Sequence, residues 1–172
     1  MKLIQSIAPT LEPITLAEMK LFIGLTKAGD DALVESYITT ARQKAESIMN
    51  RQLMPCTYEL YFDVMPSEIT LHRPPFVNLV SFQAFDGTTW NDVVNELDDK
   101  STPVLLYVTE WPLISSNKNS VKVVYEAGYT DATKVPESIK SWIRIEVGYM
   151  YDQEAKRINV DALLDSYRVI PV

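Results

Sequence analysis

Apolar positions recur at helical spacing near both ends of the chain and at strand spacing through its middle. Residues 1–14 hold Pro9 and Pro13, lack helical periodicity and read as an extended arm. Leu16, Met19, Phe22 and Ile23 then repeat with a period near 3.6, which predicts a short first helix. Thr15 stands at its N-cap and Glu18 follows three residues later, the spacing of a capping box in which each side chain satisfies a free amide near the other. Gly24 fits the left-handed stop at the far end. A second helix is expected to start at Asp30 or Asp31, where a carboxylate can cap free amides and meet the positive end of the dipole. Val34, Tyr37, Ile38, Ala41, Ala45, Ile48 and Met49 mark one face of it, with Glu35, Arg42, Gln43, Lys44 and Glu46 largely off that face. Ala41 and Ala45, one turn apart, leave room for another helix to approach. The helix is expected to end near Arg51, ahead of Pro55.

From Cys56 the period becomes two. Tyr58, Leu60, Phe62 and Val64 alternate with Thr57, Glu59, Tyr61 and Asp63, the pattern of a half-buried strand. Ile69 and Leu71 form a short strand before Pro74-Pro75, and residues 77–85 a longer one. Asp86-Gly87 is a hairpin signal, with the return beginning over residues 88–90. Residues 91–103 are polar and read as a loop. Two more strands are expected over 104–109 and 121–127, separated by Trp111-Pro112 and a polar stretch. Residues 128–134 read as a loop, and Pro136 suits the first turn of a helix. Ile139, Trp142, Ile143, Glu146, Val147 and Met150 carry that helix to about Tyr151. A brief final helix over 161–166 precedes the apolar tail Arg168-Val169-Ile170-Pro171-Val172.

This order predicts an α+β protein. A helical bundle core comes from two N-terminal and two C-terminal helices, residues 1–54 and 131–172. A small antiparallel β-sheet or sandwich, residues 55–130, is inserted between them. With 172 residues, 47% of them apolar, the chain is long enough for one sizeable core, or for a helical core with a satellite β layer.

Composition narrows the function more by exclusion than by indication. The net charge is −7 and basic residues are scattered, so a surface that grips DNA by displacing counterions is not expected. The single Cys56 rules out an intramolecular disulfide. No apolar run approaches the roughly 18 residues that a membrane span needs, and the N-terminal apolar stretch is broken by Pro9 before it resembles a signal peptide. Synthesis and use in the cytoplasm are expected, with no membrane role.

Catalytic and metal-binding constellations are also missing from the pattern. His72 is the only histidine, beside Arg73 and two prolines, and reads as a surface residue at a strand end. Cys56 could serve as a nucleophile only with an activating partner, and the sequence around it supplies none. It reads as a small apolar residue. Asp30-Asp31 and Asp98-Asp99 lie where helix caps and solvated loops place such pairs, and no Cys or His residues share a ligand spacing. Gly87, Gly128 and Gly148 stand apart, so no phosphate-cradling loop is formed. No enzyme, cofactor or metal is expected. Three tryptophans and nine tyrosines are read mainly as core and strand-face residues, with some as contact anchors.

Several of these pieces, in this order, resemble a known family. Thr15-Leu16-Ala17-Glu18-Met19-Lys20, then Asp31-Ala32-Leu33 through Ala41-Arg42 and Glu46, then Leu71 to Pro75, Asp86-Gly87, Tyr125 to Tyr129, Val135-Pro136 and Leu163-Leu164 with Tyr167-Arg168 are similar to the head–tail connector (adaptor) proteins of long-tailed bacteriophages and their prophages, in the longer form with a β insertion. Members often place an arginine soon after the tyrosine pair of the third helix. Here Asp152-Gln153-Glu154 follow Tyr149-Met150-Tyr151, and Arg157 comes later.

The resemblance implies a structural virion protein of the neck. It implies a ring, of twelve copies by portal symmetry, that binds the portal vertex, extends the DNA channel and offers a platform to a stopper or tail-completion protein. DNA would pass through without specific binding. The segment Tyr167, Arg168, Val169, Ile170, Pro171 and Val172 is implied to dock on the portal, its apolar character suiting a groove or strand edge. Tyr37, Ala41, Ala45 and Trp142 are expected to pack helices between subunits. The competing readings are another neck or tail-completion part (a stopper or terminator, usually mostly β) and a small cellular ligand-binding domain.

Overall fold

In the computed structural model, residues 1–27, 29–152, 154, 156 and 158–170 are described. They form an α+β fold with four α-helices and two antiparallel sheets, divided into two compact units. One unit comprises Met1–Pro9 and Pro55–Gly128, the other Thr10–Met54 and Tyr129–Val172.

The second unit holds the helices. The first, α1 (Leu16–Ile23), is built as its signals predict. Thr15 Oγ1 accepts from the Glu18 amide at 3.2 Å, Glu18 Oε2 accepts from the Thr15 amide at 2.8 Å, and Gly24 closes the helix at φ 69°. The Thr15 bonds hold the Glu18 carboxyl below its ordinary range. The second helix, α2 (Asp31–Met49), starts where expected, but neither acidic residue caps it through its side chain. Asp31 instead accepts from Lys20 Nζ at 2.6 Å, and Asp30 from the Tyr151 hydroxyl at 2.9 Å. Asn50, left-handed at φ 52°, ends α2 two residues before the foreseen stop, and the Arg51 amide reaches back to the Glu46 carbonyl at 3.1 Å.

A 3₁₀ turn over Ala132–Lys134 occupies part of the expected loop. Pro136 then caps α3 (Glu137–Tyr151) rather than opening it, and α4 (Ala162–Asp165) is a single turn. Ile14, Met19, Val34, Ile38, Ala41, Ala45, Met49, Ile139, Trp142, Ile143, Val147 and Leu164 share one buried cluster. Ala41 and Ala45 are fully buried in it, and α3 is the helix that packs most extensively against α2.

The first unit holds eight strands. In one sheet the order is β1-β2-β8-β4-β5, formed by β1 (Lys2–Ile7), β2 (Cys56–Phe62), β4 (Phe76–Phe85), β5 (Trp90–Asp92) and β8 (Val121–Ala127). In the other the order is β3-β7-β6, formed by β3 (Glu68–Leu71), β6 (Asn95–Asp98) and β7 (Val104–Val108). Leu60, Phe82, Val123 and Tyr125 of the first sheet and Ile69, Leu71, Leu106 and Val104 of the second share one core. The alternation read from Cys56 holds through Leu60, but it stops before Val64, which is 74% exposed.

Two strands depart from the pattern-based reading. The first half of the N-terminal arm, Lys2–Ile7, is strand β1, with Leu3 opposite Leu60 at the edge of the larger sheet. Asn95–Asp98, read as loop, pairs with β7 because the Asn95-Glu96-Leu97-Asp98 backbone completes an edge that needs little apolar side chain. The Asp86-Gly87 hairpin forms, with Phe85 opposite Trp90.

Candidate functional site

The polar interior of the helical unit is its least expected feature. Arg42 and Glu46 lie off the apolar stripe in sequence, yet both are buried. Arg42 Nε reaches Glu12 at 2.7 Å and its Nη1 reaches Glu46 at 2.9 Å. Thr39 Oγ1 donates to Glu12 at 2.9 Å, while Gln52 Nε2 and the Leu53 amide donate to Glu46 at 2.9 and 3.0 Å. Burial pushes the Glu46 carboxyl above its ordinary range, in spite of Arg42. Burial works against the Arg42 charge as well, but the hydrogen bonds and attraction of Glu12 and Glu46 hold its guanidinium above its usual value. This network ties the segment ahead of α1 to the middle of α2 and to the chain leaving α2. The only sequence signal for it was the i, i+4 spacing of opposite charges.

Three of the four residues expected to pack between subunits are buried in the helical core of the chain. Ala41, Ala45 and Trp142 are 0–1% exposed in the helical core. The Trp142 indole donates to Asp161 at 3.0 Å, and Lys44 Nζ stands 5.7 Å above its ring while pairing with Glu146 at 2.6 Å. Tyr37 lies partly exposed at the margin of the same cluster.

The C-terminal segment also meets its own chain. The Val169 amide donates to the Met49 carbonyl at 2.9 Å, Arg51 Nε donates to the Tyr167 carbonyl at 3.0 Å, and Asn50 Nδ2 to the Val169 carbonyl at 3.4 Å. Ser138 Oγ donates to the Tyr167 hydroxyl at 3.0 Å. Arg168 pairs with Asp165 at 3.2 Å at the surface, and Ile170 is 80% exposed. Pro171, Val172 and Arg157 lie outside the described residues.

A shallow apolar groove runs between α1 and α3, about 590 Å³ in volume, with Leu21 and Phe22 on one wall and Ile145 and Arg144 on the other. Leu21 is 85% exposed.

The candidates for chemistry are accounted for structurally. Cys56 is buried in the sheet core. The His72 carbonyl accepts from the Tyr125 hydroxyl at 2.8 Å, and burial, then Arg73, lowers the tendency of its imidazole to protonate. Asp98 accepts from Ser101 at 2.6 Å within its own turn. Among the described residues no group of three or more His, Cys, Asp and Glu side chains is placed to hold a metal ion, and no helix is long and apolar enough to cross a membrane.

Residues 13–83, from the segment before α1 into β4, match the family model described as phage gp6-like head-tail connector protein. The resemblance read from the sequence is thereby borne out over those residues. The fold of the protein is similar to chains in three solved structures. One is the neck of an empty GTA particle computed with C6 symmetry (17% identity, TM-score 0.83). The others are the virion of a native gene transfer agent particle (17%, 0.81) and the neck of a native GTA particle computed with C12 symmetry (18%, 0.78). Each match covers 100% of this chain and 97% of the other. No curated protein matches the chain.

Proposed function

We propose that this protein is the head–tail connector of a virion neck, assembled as a ring between the portal vertex and a stopper or tail-completion protein. One observation carries the reading. The gp6-like match over 13–83 coincides with a fold shared along the whole chain with proteins of particle necks.

In this reading the helical unit is the body of each subunit and the β unit is an insertion that adds contacts or decorates the collar. Copies pack head to tail, with two different surfaces meeting at each joint, so that rotation closes a ring. Twelve copies match a portal of that symmetry. Ala41, Ala45 and Trp142 serve this indirectly by packing within the helical core of each subunit. Tyr37 is the member of that set with exposed surface to offer a neighbour. The net charge of −7 keeps the channel from holding the DNA that passes through it. The segment 167–172 docks on the portal, led by the exposed Ile170. Among the described residues helices hold as many residues as strands, which speaks against the mostly-β stopper and terminator alternative.

The test is a pull-down and image reconstruction of the chain with the portal protein from the same genome. A ring on the tail-facing side of the portal is the expected result. No association, or association only with tail-tube proteins, would overturn the reading.

A further inference from the structure

The C-terminal end of α2 holds the backbone of the segment that leaves the turn after α4, where the Tyr167 and Arg168 amides reach back to the Leu164 and Asp165 carbonyls at 2.9 and 3.3 Å. Carbonyls in the last turn of a helix have no partner further along the helix. The left-handed turn at Asn50 satisfies those of Glu46 and Ser47, and the Met49 carbonyl is left to accept the Val169 amide at 2.9 Å. The two residues after the helix complete the grip from the side. Arg51 Nε holds the Tyr167 carbonyl at 3.0 Å, and Asn50 Nδ2 approaches the Val169 carbonyl at 3.4 Å. Tyr167 is held at a second point, where its hydroxyl accepts from Ser138 on α3 and its ring packs against the helical core. Just beyond this grip Ile170 stands 80% exposed.

We propose that this contact is a latch. In the free subunit the end of α2 holds residues 167–169, the same backbone that pairs with the portal, and docking requires the segment to leave α2. This rests on the docking role given to 167–172 above. The chemistry argues for competition rather than mere tethering. The Val169 amide and the Tyr167 and Val169 carbonyls are the groups that strand-type pairing with a partner edge would use, and each can serve one partner chain at a time. The apparent affinity for the portal is then the intrinsic affinity reduced by the fraction of subunits with the segment released. The exposed Ile170 offers a first contact while the latch is still closed.

The test uses the full chain with Asn50→Gly and Arg51→Ala together. Glycine keeps the left-handed turn that ends α2 and removes only the side-chain donor. Hydrogen exchange across 167–170 is expected to speed up by roughly tenfold, with exchange in α2 and α3 unchanged. Binding to the purified portal is expected to tighten by at least about threefold. Arg51→Ala alone should give part of both effects. Unchanged exchange at 167–170 would overturn the latch, since the segment would then be held elsewhere. Faster exchange with equal or weaker portal binding would overturn the competition. A chain ending at Ser166 separates the two readings. If it binds the portal as well as the full chain, the docking role fails, while exchange in the double variant still reports the latch by itself.

Discussion

Arg42 Nη1 lies 2.9 Å from Glu46 Oε2, one turn along the same helix, and the two side chains are 4% and 10% exposed. Most i, i+4 pairs decorate a helix surface and contribute a few tenths of a kcal/mol. This one is inside, and Arg42 is shared with Glu12 from another part of the chain. Removing Arg42 would leave the buried Glu46 without its cation and facing Glu12, so Arg42→Ala is expected to destabilise the helical unit by about 3–5 kcal/mol. Urea denaturation monitored by circular dichroism checks this. A loss below about 1 kcal/mol would mean that solvent reaches the cluster.

The same burial sets a pH signature. The Glu46 carboxyl lies above its ordinary range when folded, so its protonated form favours the fold. That contribution is fully present below the unfolded value of 4.5 and is lost as pH rises through the folded value. Glu46→Gln has no such loss. Its stability relative to the natural chain is therefore expected to rise between about pH 4 and pH 7, measured as the difference in melting temperature at several pH values. A flat difference would refute it. Glu18 runs the other way. Its carboxyl is held low by Thr15, so its stabilisation is present above the unfolded value and lost as pH falls through the folded one.

Ala41 and Ala45 have no exposed surface and pack within the helical core. Ala41→Leu or Ala45→Leu is expected to overpack this core and cost about 1–3 kcal/mol. A melting curve identical to that of the natural chain for both variants would remove close helix packing as the reason for these residues.

Tyr125 tests the β unit separately. Its ring is fully buried and its hydroxyl donates to the His72 carbonyl at 2.8 Å. Burial raises its pKa far above the usual tyrosine range, so it remains a donor through all accessible pH. Tyr125→Phe is expected to cost about 1–2 kcal/mol by orphaning that carbonyl. Equilibrium unfolding followed by tyrosine and tryptophan fluorescence measures it, and a neutral result would place water at the carbonyl.

Local chemistry was readable without the fold. Thr15, Glu18 and Gly24 specify α1 through bonds within four residues of each other, so any chain carrying them in sequence tends to make that helix. Asp86-Gly87 specified its hairpin for the same reason, and the alternation from Cys56 to Leu60 marked the buried face of β2. The order of these pieces also carried the likeness to head–tail connectors.

What the sequence could not decide was the company each side chain keeps. Arg42 and Glu46 look like surface residues until Glu12, Gln52 and the Leu53 amide are brought around them, because a charge can be buried only where the fold supplies its partners. Asn95–Asp98 becomes a strand because the exposed edge of β7 lies beside it. Ala41 and Ala45 announce a close contact but not with what, and the fold buries both in the helical core of their own chain. The C-terminal segment reads as an apolar tail, and only the carbonyl left over at the end of α2 decides where Val169 rests. Short-range hydrogen bonding and hydrophobic period are written in the chain itself. Long-range pairing is not, because it depends on residues more than a hundred positions apart arriving at the same place.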